Sequence, residues 1–219
     1  MKKIIIFGLS DYAELAHYYI EHDTEYEVVA FSVHKKYMPE DARFKNLPVV
    51  EFEDVEKIFS PAEFKFFAPM SPKNMNRDRE KIFFEIKNKG YQFISYVSSK
   101  ATVFENQIGD NCFILEDNTI QPFTTIGDNV VLWSGNHVGH HGKIGDHVTM
   151  TSHVVMSGHC EIGPYSFLGV NATLRDGIKI AEGSFVAMAC AVTKSTEAWG
   201  VYRGNPGEKM KMSSVDLKF

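Results

Sequence analysis

The chain has 219 residues, is 44% hydrophobic and 23% charged, and carries a formal net charge of −5. That is enough sequence for one large domain or two small ones with real cores. A mildly acidic chain without a Lys/Arg-rich run is a poor partner for nucleic acid or an anionic membrane. Its three cysteines include no CxxC, which argues against a disulfide framework or a zinc knuckle. The opening MKKIIIFGLSDYAE reaches an acidic residue too soon for a signal-peptide core and is far too short for a membrane span. The cytoplasm is the expected location.

In chain order, KKIIIFGL reads as a short apolar strand, and SDYAELAHYYIEH follows at helical spacing with Ser10 as its N-cap. EVVAFSVH and LPVVEF are further strands, followed by a short acidic helix around EDVEKIF. EFKFFAPM is another strand, NMNRDREKIFFEIKNKG a charged amphipathic helix closed by Gly90, and YQFISYV a last strand. Strands alternating with helices predict a small parallel α/β sheet over residues 1–98.

From about residue 102 the period changes. Every sixth residue from Ile108 to Val192 is aliphatic or Met, fifteen positions without interruption. A period of six is neither helical nor that of a hairpin. It fits a solenoid over residues 99–195 with three flat faces and eighteen residues per turn, leaving 196–219 as a tail. The eighteen-step column Ile108, Ile126, Ile144, Ile162 and Ile180 is entirely isoleucine. Two residues before each aliphatic, a second inward position should be small; Cys112, Cys160 and Cys190 all fall there, on three different faces, as packing residues that cannot pair.

This [LIV]-G-x-x-x-x pattern behind an α/β unit resembles the hexapeptide-repeat acyltransferases. Within them it resembles the branch of sialic acid O-acetyltransferase-like proteins and nucleotide-amino-sugar N-acetyltransferases, the bacillosamine-pathway enzyme included. The likeness runs from IIIFGLSDYAE through HHGKIGDHV and SFLGVNATL to GVYRGNPGEKM. It implies a Rossmann-like nucleotide-sugar domain followed by a left-handed parallel β-helix, assembled as a homotrimer. It also implies transfer of acetyl from acetyl-coenzyme A to the amino group of a dTDP- or UDP-linked sugar, in surface polysaccharide synthesis. Sugar O-acetylation by the same apparatus is the alternative.

Six of the nine histidines crowd between Gly135 and His159. His141, His147, His153 and His159 are six apart, a corner register, and are read as solvent-facing turn residues; His141 and His159 stack one coil apart. The run His140-His141-Gly142-Lys143-Ile144-Gly145-Asp146 is similar to the family's H-[ED]-x-x-I-G-[ED], which places His140 at the general base. Imidazole suits that task because its ordinary pKa lies near neutrality. The family's acid is His141 here, read as a supporting catalytic residue. His137 is a candidate for the acceptor pocket, and Trp133 replaces a sugar-contacting Asn. The resemblance further implies a Gly158 amide on the thioester carbonyl, Gly169 and Met188 along the pantetheine channel, and Lys194 and Arg203 near the adenosine phosphates. In the first domain it implies substrate contacts from Gly8, Ser10, Asp11 and Tyr12, the remnant of a glycine-rich turn, and from Asn76 and Arg79. Ser32-Val33 stands in place of an acidic pair that contacts the base, which puts uridine in doubt.

A more distant alternative is a γ-class carbonic anhydrase, which shares the β-helix and binds zinc. No two histidines from 137 to 159 are five apart, as that family requires, so no metal cofactor is expected. A plain structural β-helix would show regular Thr arrays rather than Trp133, Asn136, Lys143 and Arg175.

Overall fold

A computed structural model describes residues 2–204; the end of the tail, from 205, lies outside the described residues. The first unit is built from β1 (Lys2–Phe7), α1 (Asp11–Asp23), β2 (Tyr26–Val33), β3 (Arg43–Phe44), β4 (Leu47–Glu51), α2 (Val55–Ile58), β5 (Lys65–Phe67) and α3 (Arg77–Asn88). Its sheet runs β3-β4-β2-β1-β5, parallel except for the antiparallel edge pair β3–β4, which the sequence reading did not contain. The run Ile4-Ile5-Ile6 is fully buried because helices cover both faces of β1. Ile4 and Ile6 pack with Ala13, Ala16 and Ile20 of α1, whereas Ile5 and Phe7 pack with Ile82, Phe83 and Ile86 of α3.

The second unit is a left-handed parallel β-helix of two-residue strands. They stack into three parallel sheets of six, five and seven strands, paired in eighteen-residue steps such as Ile126↔Ile144. All fifteen six-step positions point inward; fourteen are buried and Ile108 is half-buried. The three cysteines are buried and free. The run YQFISYV divides: Phe93 makes an isolated bridge to Phe66, while Tyr96–Val97 pairs with Phe113–Ile114 and opens the β-helix. At the other end Val201–Tyr202 pairs with Phe185–Val186, so the last coil reaches into the segment read as tail.

The outward side chains explain which face the first unit covers. On the seven-stranded face they are Phe113, Val131, Thr149, Phe167 and Phe185; on the five-stranded face they are Gln107, Thr125, Lys143, Glu161 and Lys179. Only the former is apolar, and Phe113 and Val131 are buried in one cluster with Ile4, Ile6 and Ile94. Among the described residues no helix is long and apolar enough to cross a membrane.

Each corner places one residue in the left-handed region. His141, His147, His153 and His159 sit there with φ of 54°, 60°, 60° and 56°, a conformation that Asn, Asp and His tolerate better than most residues. His147 departs from the expectation of a solvent-facing corner. It is buried beneath α3, stacked on Tyr165 at 5.4 Å and edge-on to Phe83 at 5.8 Å. The Asn129 amide nitrogen donates to its Nδ1 at 2.9 Å, and Asn129 Oδ1 accepts from Asn111 Nδ2 at 2.8 Å, so the ladder leaves Nδ1 no proton. Burial lowers the His147 pKa below its ordinary value of 6.5, against the pull of Glu80.

A depressed folded-state pKa on a base means that the unfolded chain binds the proton more readily. The His147 contribution is therefore complete above about pH 6.5 and shrinks as pH falls below it. We expect thermal unfolding of His147→Asn, which keeps the left-handed corner and a polar partner for Asn129, to lose less stability between about pH 7.5 and about pH 5 than the unsubstituted protein loses. Parallel loss in both proteins would show that His147 does not set the acid sensitivity.

Candidate active site

His140 follows the strand His137–Val138 at a corner, where its backbone N–H is held by Gln121 Oε1 at 3.0 Å and its carbonyl by the His159 N–H at 2.9 Å. Its Nδ1 lies 3.1 Å from Nδ1 of His141. His141 stacks on His159 with centroids 5.0 Å apart and planes 17° apart, and on its other side tilts against Phe123 at 4.7 Å. The His140 ring stands perpendicular to both, 5.2 Å from His141 and 5.0 Å from His159. One ligating atom of each of the three exposed rings lies within 4.8 Å of the others. The sequence reading found the stacked pair, yet its search for ligands five apart missed this convergence, because His159 comes from the next coil.

Gly158 lies one coil above residue 140. A Cβ there would meet His140 Cε1 at 2.8 Å and Nε2 at 2.9 Å, so the ring occupies space that only glycine leaves. Asp176 Oδ1 is 3.1 Å from the same point, which puts a carboxylate no further than about 6 Å from His140 Nε2. Among the described residues the Gly158 N–H has no acceptor. Gly169 and Met188 are brought together, since a Cβ on Gly169 would lie 2.5 Å from the Met188 nitrogen; Met188 itself is exposed, as are Lys194 and Arg203. His137 is half-buried on its strand, facing outward.

The first unit contributes a cleft of about 1090 Å³ at the carboxyl ends of β1 and β2. Its walls come from the loops after β1 and β5, on either side of the point where strand order reverses, the usual ligand crevice of an open α/β sheet. Gly8 and Ser10 line it. Gly8 adopts φ 110°, a conformation that requires glycine. Asp11 and Tyr12 are not among the lining residues; Tyr12 turns instead to the β-helix and packs edge-on to Trp133 at 5.4 Å. The sequence reading missed Lys35, Lys36, Lys73 and Lys81, which line the cleft from three different segments beside Glu53, Asp78 and Glu85; Lys35 is paired with Glu51 at 3.2 Å and Lys81 with Glu85 at 3.8 Å.

Asn76 and Arg79 are a correction. Both are buried between the two units and do not line the cleft. Arg79 donates to Asn76 Oδ1 at 2.9 Å, Thr149 Oγ1 at 2.7 Å and the Asn129 carbonyl, while Asn76 Nδ2 donates to the Tyr165 carbonyl at 3.1 Å. No carboxylate faces the guanidinium among the described residues, and burial pulls its pKa down to about 10. The pair clamps α3 to the β-helix.

Fold and site together define a hexapeptide-repeat β-helix carrying a Rossmann-like domain and an exposed histidine edge. Residues 107–140 match the family described as bacterial transferase hexapeptide (six repeats). No curated protein matches the chain in sequence. Among solved structures, the acetyltransferase domain of PglB from Neisseria gonorrhoeae superposes with a TM-score of 0.79 at 16% identity, over 96% of this chain and all of that one. PerB from Caulobacter crescentus, in complex with CoA and GDP-perosamine, superposes with a TM-score of 0.76 at 18% identity, over 92% of this chain and 91% of its own. WeeI from Acinetobacter baumannii gives 0.78 at 21% identity, over 93% and 97%. These likenesses establish the two-unit fold.

If Arg79 is a clamp, Arg79→Ala should lower the unfolding free energy by about 2–4 kcal/mol, through the lost charged hydrogen bonds and the cavity left behind. The KM for the nucleotide-linked acceptor should change less than about threefold. A large KM change without loss of thermal stability would restore Arg79 to the substrate site.

Proposed function

We propose that the protein is a cytoplasmic, homotrimeric acetyltransferase that moves acetyl from acetyl-coenzyme A to the amino group of a nucleotide-linked amino sugar. The observation that carries this reading is the His140–His141 contact. A 3.1 Å Nδ1···Nδ1 pair needs one N–H and one lone pair. With the proton on His140 Nδ1 and the lone pair on His141, His140 Nε2 over Gly158 is left free to accept a proton. His141 then does with imidazole what the family's neighbouring acid does, fixing tautomer and ring orientation.

In the reaction the acceptor nitrogen forms a bond to the acetyl carbon and passes its proton to His140 Nε2. The carbonyl oxygen gathers negative charge, which the unpaired Gly158 N–H meets. The C–S bond then breaks, the thiolate of coenzyme A leaves, and the proton on His140 is available to it. Gly169 and Met188 would flank the pantetheine arm, with Lys194 and Arg203 within reach of its phosphates. The lysine-lined cleft would take the diphosphate of the sugar nucleotide, with Gly8 and Ser10 at its floor, and Trp133 and His137 would border the sugar. A trimer would cover the exposed apolar residues Phe123, Val155, Val170 and Met188 of the β-helix. The bound CoA and GDP-perosamine of the Caulobacter structure support both the donor and the class of acceptor, and they extend the candidate carriers from dTDP and UDP to GDP.

The test is a panel of dTDP-, UDP- and GDP-linked amino sugars with acetyl-coenzyme A, each beside its hydroxyl counterpart, with products followed by mass spectrometry. An N-acetylated product is expected; acetyl on the hydroxyl sugars alone would make the protein an O-acetyltransferase.

His140→Ala should lower turnover by ~10²–10⁴-fold while coenzyme binding stays nearly intact, with a smaller loss for His141→Ala. Should His140→Ala keep more than about a third of the turnover, less than roughly 0.7 kcal/mol of transition-state stabilisation is at stake and catalysis rests on positioning alone.

A further inference from the structure

The histidine edge has a geometry that proton transfer alone does not call for. Three imidazoles from two successive coils place their centroids 5.2, 5.0 and 5.0 Å apart, nearly an equilateral triangle. Zinc bonds imidazole nitrogen at about 2.0–2.1 Å in tetrahedral geometry, which sets the centroids of three coordinating rings about 5 Å apart and neighbouring donor nitrogens about 3.3 Å apart. The His140–His141 nitrogen pair is already at 3.1 Å. All three rings are exposed in the single chain.

The stacked rings of His141 and His159 are nearly parallel, so one must turn about χ2 to aim at a shared ion. Next on the same eighteen-residue column stands Gly177, where a Cβ would meet nothing within 4 Å. The column Phe123, His141, His159, Gly177 thus leaves room beside His159 for the turn. Among the described residues the group with converging ligand atoms is all imidazole, with Asp176 outside it on the Gly158 side of His140, and such a donor set selects borderline ions over magnesium or calcium.

We propose that His140, His141 and His159 form a three-coordinate site for zinc or a chemically similar divalent transition-metal ion, and that the bound ion inhibits the enzyme rather than serving it. The second half rests on the acetyl-transfer reading. Coordination through His140 Nδ1 moves the ring's proton to Nε2, the atom that would otherwise accept the substrate proton, and takes up the His141 lone pair that orients the base, so coordination and general-base catalysis exclude one another. The ion would act as a competitor of the proton at the active-site edge.

The test separates the two halves. Metal-free protein is titrated with zinc sulfate by calorimetry and with cobalt(II) chloride by visible absorption. One zinc per chain is expected, with the intense d–d bands of tetrahedral cobalt, and His159→Asn should weaken zinc binding at least about tenfold. Retained thermal unfolding of that variant, whose asparagine keeps the left-handed corner, shows that the loss is local. Absence of saturable zinc binding, or binding unchanged in His159→Asn, overturns the site. Acetyl transfer is then measured with and without zinc, each protein against its own metal-free rate. Inhibition reversed by EDTA in the unsubstituted protein, and at least about tenfold weaker sensitivity in His159→Asn, is the expected pattern. Zinc binding without inhibition, or carbon dioxide hydration by the zinc-loaded protein, overturns the inhibitory role. If no acceptor is acetylated at all, the function reading fails while the calorimetric and cobalt results still decide the metal site.

Discussion

Everything distinctive about this protein depends on the eighteen-residue closure of its coil. Each strand is only two residues long and bonds only to strands one turn away, such as Thr125↔Lys143. No strand of that length is stable alone, so stability comes from stacking, with one buried aliphatic per face per turn. Closure in turn requires a residue at positive φ at every corner, and the corners are where the chemistry sits. The same left-handed position that would ordinarily go to Asn or Gly is filled by His141 and His159, one coil apart and therefore stacked. The fold does not merely support the histidine edge; its repeat sets the spacing of the rings.

That repeat also explains what was legible in the sequence. The six-step aliphatics, the inward cysteines and the corner register could be counted directly, because a solenoid writes its geometry at a fixed period. The face that meets the first unit was written there too, in the column Phe113, Val131, Phe167 and Phe185, although the sequence reading did not use it. His147 shows the limit of the register. It shares its corner position with His141 and His159, yet it is buried, because the helix that covers it, Arg77–Asn88, comes from far earlier in the chain and leaves no mark in the hexad.

The same limit governs the site. The His140-to-Ile144-Gly145 spacing is local and could be read. The approach of His159 and Asp176 to His140 depends on coil stacking, and the lysine-lined cleft depends on the loops of an α/β sheet. Lys35, Lys36, Lys73 and Lys81 are scattered along the chain, and only the sheet gathers them on one cleft. Asn76 and Arg79 failed in the opposite direction. Their Asn-x-x-Arg spacing matched a ligand-contacting helix start, but a spacing carries no record of burial, and here the helix start is pressed onto the β-helix.

That misreading points to how the two units are coupled. α3 has two working faces set by its 3.6-residue turn. Arg79 and Phe83 face the β-helix, whereas Asp78, Lys81, Ile82 and Glu85 line the cleft. Placing an uncompensated guanidinium between the units costs desolvation, and its partners are neutral oxygens on Asn76, Thr149 and Asn129. Its bonds to Thr149 and Asn129 are made in only one relative placement of helix and coil, whereas the bond to Asn76 stays within the helix start and Nε finds no partner among the described residues. A hydrophobic contact would tolerate sliding; this one does not. The wall of the cleft is thereby held in register with the coils.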